Sequence, residues 1–66
     1  MYKFIISGYY NTIDKEGNKE TDKYFWNELE AEDSITAVQI VLGKVSRNES
    51  LEDKYVVFDR FHYECL

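Results

Sequence analysis

Hydrophobic and polar positions change their rhythm twice along this chain. Tyr2, Phe4, Ile6, Gly8 and Tyr10 alternate with Lys3, Ile5, Ser7 and Tyr9, and the even side is the more apolar. A period of two sends successive side chains to opposite faces, which predicts a strand from about Tyr2 to Thr12. Asp14-Lys15-Glu16-Gly17-Asn18-Lys19 interrupts the pattern with charge and with Gly-Asn, two residues that tolerate the positive φ of a chain reversal. A β-hairpin loop is the economical reading. Alternation resumes from Thr21 to Ala31, with Phe25, Leu29 and Ala31 on one side and Tyr24, Trp26, Glu28 and Glu30 on the other.

The period then lengthens. Ile35, Val38, Val41, Leu42 and Val45 recur at three- and four-residue spacing, the signature of one helical face. Asp33 or Ser34 can cap its first free amides, and Lys44 and Arg47 suit the negative end of its dipole. Gly43 falls off the apolar face, marking a close approach or a weak final turn. Ser46 to Asp53 is polar and reads as a loop. Lys54 to Glu64 returns to strand-forming residues, Tyr55, Val56, Val57, Phe58, Phe61 and Tyr63, with the alternation broken at Asp59-Arg60, where a β-bulge would restore it.

The order strand, strand, helix, strand predicts an α+β fold of ββαβ type, one domain spanning residues 1–66. A right-handed crossover through the helix makes the second and third strands parallel and places the third beside the first. The expected sheet is three-stranded and antiparallel between neighbours, in the order 2-1-3, with the helix packed on one face. One helix covers one face, so Phe4, Ile6, Phe25, Leu29 and Phe58 are expected beneath it. Ile5, Tyr9, Tyr24, Trp26 and either Tyr55 or Phe61 are expected on the other side. Exposed aromatic surface of that extent points to contacts, and Trp and Tyr are frequent interface anchors. Tyr9, Tyr24 and Trp26 are therefore the candidate partner-binding residues of the sheet face. Tyrosines with wet hydroxyls on an uncovered sheet are the alternative.

Charge sharpens this picture. The 66 residues carry 13 Asp and Glu against 8 Lys and Arg, a net of −5, which argues against direct binding to nucleic acid. Asp22, Glu28, Glu30, Glu32 and Asp33 concentrate acid around the second strand. They form a candidate acidic edge, fit either for a basic partner or simply to discourage edge-to-edge aggregation. The uncharged stretch Ser34 to Gly43 is too short to span a membrane, and the beginning of the chain lacks the pattern of a signal peptide, so a cytoplasmic location is expected. Cys65 is the single cysteine and His62 the single histidine, which provides neither a disulfide nor a metal set. On a strand, i and i+3 point to opposite faces, so His62 and Cys65 do not make a nucleophile and base pair. No cofactor, small-molecule substrate or catalytic residue is expected.

The run from Asn27 to Val38, Asn-Glu-Leu-Glu-Ala-Glu-Asp-Ser-Ile-Thr-Ala-Val, resembles the strand-to-helix joint of small acidic proteins encoded by phages and mobile elements, and is similar to that of small anti-CRISPR proteins. The resemblance implies a non-enzymatic, stoichiometric inhibitor that occupies a surface of a host complex, and it carries no site residue across. Three function classes follow from the residues and the resemblance together. The first is an interaction module that binds a protein partner or forms a homodimer through the aromatic face. The second is an acidic mimic of nucleic acid, and the third a bacterial structural, homodimeric domain.

Overall fold

The computed structural model covers Met1 to Leu66. Strand β1 runs Tyr2–Asp14 and β2 runs Lys19–Ala31, followed by helix α1 over Ser34–Ser50 and strand β3 over Lys54–Cys65. The sheet order is β2-β1-β3, and both pairings of the central strand are antiparallel. This is the ββαβ arrangement that the periodicity predicts, with each strand a little longer than its apolar pattern.

The hairpin closes on Asp14. Its Oδ1 accepts from the amides of Glu16 and Asn18, both at 2.9 Å, and Gly17 supplies the positive φ of 86° that completes the reversal. At the other end of β2, Asp33 takes an extended backbone and its Oδ1 accepts from the Thr36 amide at 2.8 Å, capping α1.

The helix departs from its predicted face and length. Its buried stripe is Ala37, Val41, Val45 and Glu49, flanked by half-buried Val38 and Leu42, and Ile35 is 70% exposed. A stripe at four-residue spacing puts Ser34 rather than Ile35 on the inner side. The segment Ser46–Ser50, expected as loop, is helical because Glu49 extends the stripe by one more turn. Gly43 has open space around it and no close approach.

The core is a single layer between α1 and the sheet: Phe4, Ile6, Phe25 and Ala31 from the strands against Ala37, Val41 and Val45. Tyr10, Phe25 and Phe58 pack as an aromatic triangle with centroids about 6 Å apart, bridging all three strands. Only 10 of 66 residues are buried, and the molecule measures 42 × 19 × 14 Å. The radius of gyration is 12.6 Å. A compact domain of this length would have about 11 Å, so much apolar surface has no internal partner.

The β-bulge lies where the broken alternation placed it. Tyr9 pairs with Arg60 and Tyr10 with Phe58, leaving Asp59 as the extra residue. Gly8, opposite Phe61, makes the bulge possible, since a Cβ there would stand 2.3 Å from the Arg60 carbonyl oxygen and 2.7 Å from the Phe61 Cα. The bulge also turns Phe61 to the helix side of the sheet, which settles that Tyr55 is the outward ring of β3.

Gly8→Ala is expected to lower stability by about 1–3 kcal/mol through that clash with backbone. Gly43→Ala, in an exposed helical position, should raise it by about 0.5–1 kcal/mol. Paired thermal melts read both, and equal and small effects at the two positions would contradict the assigned contacts.

Candidate docking face

Odd-numbered residues of β1 point away from α1, and Ile5, Ser7, Tyr9 and Ile13 are each flanked by a residue of β2 and one of β3. Ile5 lies between Glu28 and Glu64, Ser7 between Trp26 and His62, and Tyr9 between Tyr24 and Arg60. Towards the hairpin, Val57 stands opposite Asn11, and Ile13 sits between Lys19 and Tyr55. No helix or loop covers these rows. Tyr24 is 57% exposed and Trp26 52%, whereas Tyr9 is half-buried by its two neighbours.

The middle of the face is ordered by ring contacts. Tyr9 and Tyr24 meet edge to face at 5.3 Å, and the Arg60 guanidinium lies 4.5 Å from the Tyr9 ring centroid while its Nη1 donates to Asp59 Oδ2 at 2.9 Å. Ser7 is small, and around it Tyr9, Tyr24, Arg60 and His62 enclose a shallow depression of about 170 Å³. The hollow is open to solvent.

The predicted acidic residues separate into two groups. Glu28 and Glu30 stand on the open face beside Trp26, with Glu30 opposite Lys3, and Glu32 is exposed after the strand. Asp33 is held by its cap, and the Thr36 amide keeps its carboxyl below the usual range. Asp22 takes φ 56° at an irregularity in the β1–β2 pairing, where its amide donates to Asn11 Oδ1 at 3.1 Å. Asp33 and Asp22 thus each make a local structural contact.

The opposite side of the sheet holds a polar cluster that sequence pattern alone did not single out. Lys23 Nζ lies 2.7 Å from Glu49 Oε2, 3.8 Å from Glu20 and 5.6 Å from the Tyr10 ring centroid. Lys54 joins Glu20 at 2.8 Å, so the network ties all three strands to the end of α1. Two signals were available: Lys23 shares the inward parity of Phe25, and Glu49 follows Val45 by four. Burial raises the Tyr10 hydroxyl above its ordinary value with help from Glu49, and the hydrogen bond to Glu49 raises Lys23.

His62 faces the open side and Cys65 the helix side, and no group of three His, Cys, Asp or Glu residues is placed to hold a metal ion. No helix is long and apolar enough to cross a membrane. No protein-family model, curated protein or solved structure matches the chain.

Lys23 and Tyr10 both have raised folded-state values, so both contribute stability that is present below their unfolded values and lost as pH climbs through the folded ones. Melting temperature should therefore fall above about pH 10, and Tyr10→Phe should flatten the fall. Lys23→Met, by leaving Glu49 unpaired, should cost about 1.5–3 kcal/mol at neutral pH. Melts that decline equally in wild type and Tyr10→Phe would remove Tyr10 from this account.

Proposed function

We propose that this chain is a non-enzymatic interaction module that docks another protein on its open sheet face, with Trp26 and Tyr24 as anchors and Tyr9 as a platform beside Tyr24. The observation that carries this is the pair of large rings, each more than half exposed, on a face that nothing in the fold covers. Ordered anchors lose little side-chain freedom on binding. Tyr24 is already held by Tyr9, and Tyr9 by Arg60. In this reading the protein is a stoichiometric inhibitor of the phage or mobile-element kind, acting in the cytoplasm without catalysis of its own, as the resemblance to anti-CRISPR proteins implies.

Mimicry of nucleic acid by Asp22, Glu28, Glu30, Glu32 and Asp33 has less support, since Asp33 caps the helix and Asp22 shapes the strand. Glu28 and Glu30 fit better as the polar rim of an aromatic interface.

Affinity capture from host lysate, repeated at raised salt and with variants, tests the reading. Trp26→Ala should weaken the captured complex by about 2 kcal/mol, roughly thirtyfold, with the fold intact. Binding should persist as salt rises, because burial of rings is screened little. A complex that survives Trp26→Ala and Tyr24→Ala but collapses with salt or with Glu28→Lys would replace this reading by the electrostatic one.

A further inference from the structure

Both edges of the sheet are free, but they are furnished differently. The β2 edge is interrupted at Asp22 and followed by Glu28, Glu30 and Glu32, features that blunt an edge. The β3 edge bonds to β1 alone and exposes apolar side chains on both of its faces. Tyr55 and Val57 lie on the open side, and Phe61 and Tyr63 on the helix side, where they border a groove with Ile35 and Val38. An edge with unpaired backbone groups and apolar flanks is a template for one more strand.

The bulge determines which strand fits. Before it, Lys54, Val56 and Phe58 point to the helix side, and after it Phe61, Tyr63 and Cys65 do. Asp59 and Arg60 together fill the one position between, so β3 has five alternating residues on either side of its bulge. A strand of that form is complementary to itself. Turned about a two-fold axis through the bulge, it sets Phe58 opposite the partner's Phe61, Val56 opposite the partner's Tyr63 and Val57 opposite the partner's His62. Every one of these pairs lies on a single side of the sheet, as antiparallel pairing requires. Across the axis Asp59 meets the partner's Arg60, and no like charges stand opposite each other anywhere along the strand. Registers centred elsewhere leave one end of the strand unpaired or oppose an inward residue to an outward one.

We propose that two copies of this chain associate through antiparallel pairing of their β3 edges, giving a six-stranded sheet, β2-β1-β3-β3-β1-β2, with both helices on one side. The occupant of the edge is a second copy because the match of face, charge and length is with β3 itself. Pairing gives Phe61 and Tyr63 apolar neighbours that the monomer lacks. It leaves Tyr24 and Trp26, two strands away, uncovered, so it stands independently of the docking reading.

Disulfide trapping tests the register. Directly opposed antiparallel residues bring Cα atoms within about 4.5–5.5 Å, inside disulfide range. Lys54 and the partner's Cys65 are opposed in this way, whereas the two Cys65 residues lie about 33 Å apart along the strand. Lys54→Cys should form a covalent dimer under copper phenanthroline oxidation, while the wild type, with Cys65 alone, should not. Tyr55→Cys with Glu64→Cys in a Cys65→Ser chain provides a second opposed pair if the first variant folds poorly. Asp59→Arg should weaken sedimenting dimer about tenfold by facing Arg against Arg, and Trp26→Ala should leave the dimer unchanged. Folded variants that do not crosslink, crosslinking of the wild type through Cys65, or a chain still monomeric at about 1 mM would overturn the proposal.

Discussion

A single helix laid against one side of three strands governs what this chain can be. Ile6 and Val41 are almost entirely hidden in that contact and share one core cluster with Phe4, Phe25, Ala31, Ala37 and Val45. The layer is one side chain thick on each part. A domain of this size buries only about 60% of its unfolded surface, and here no disulfide adds to it, Cys65 being free. Half of every strand's side chains therefore face outward with nothing of their own chain above them.

The two ends of the helix are secured by polar rather than apolar contacts. Asp33 holds the first turn, and Glu49, reached by Lys23 from β2, holds the last. The same Lys23 approaches Glu20, which also binds Lys54 at the start of β3. Ion pairs of this kind contribute where they are shielded and little where they are wet, so the Lys23–Glu49 contact matters more than the Lys15–Asp53 pair at the exposed hairpin. The outcome is a helix pinned at both ends to one side of the sheet, with Tyr24 and Trp26 exposed on the other.

Much of this was legible in the residues. Period two with apolar even positions gave β1 its face, Gly17-Asn18 gave the hairpin, and the stumble at Asp59-Arg60 gave the bulge, because each signal is local and carries its own geometry. The position of Phe61 was not legible, since it depends on how the bulge resolves against Gly8, a contact between strands more than fifty residues apart. The helical face slipped for a similar reason: Ile35 is as apolar as Val38, and only the angle at which the capped helix leaves β2 decides which of them turns inward. Glu49 was hidden by its charge, which reads as loop or surface until its partner Lys23 is placed beneath it. Of the candidate docking residues, Tyr24 and Trp26 follow from parity alone, whereas the ordering of Tyr9 by Arg60 needs the folded bulge.

The claim that matters most is that the sheet's outer face is bare in the free protein. Trp26 is the only tryptophan, so its fluorescence reports on that face without interference. In dilute solution, with the molecular mass measured alongside, the account predicts long-wavelength emission that acrylamide quenches readily, shifting to shorter wavelength when a protein partner docks. Short-wavelength, unquenched emission from a chain shown to be monomeric would contradict it.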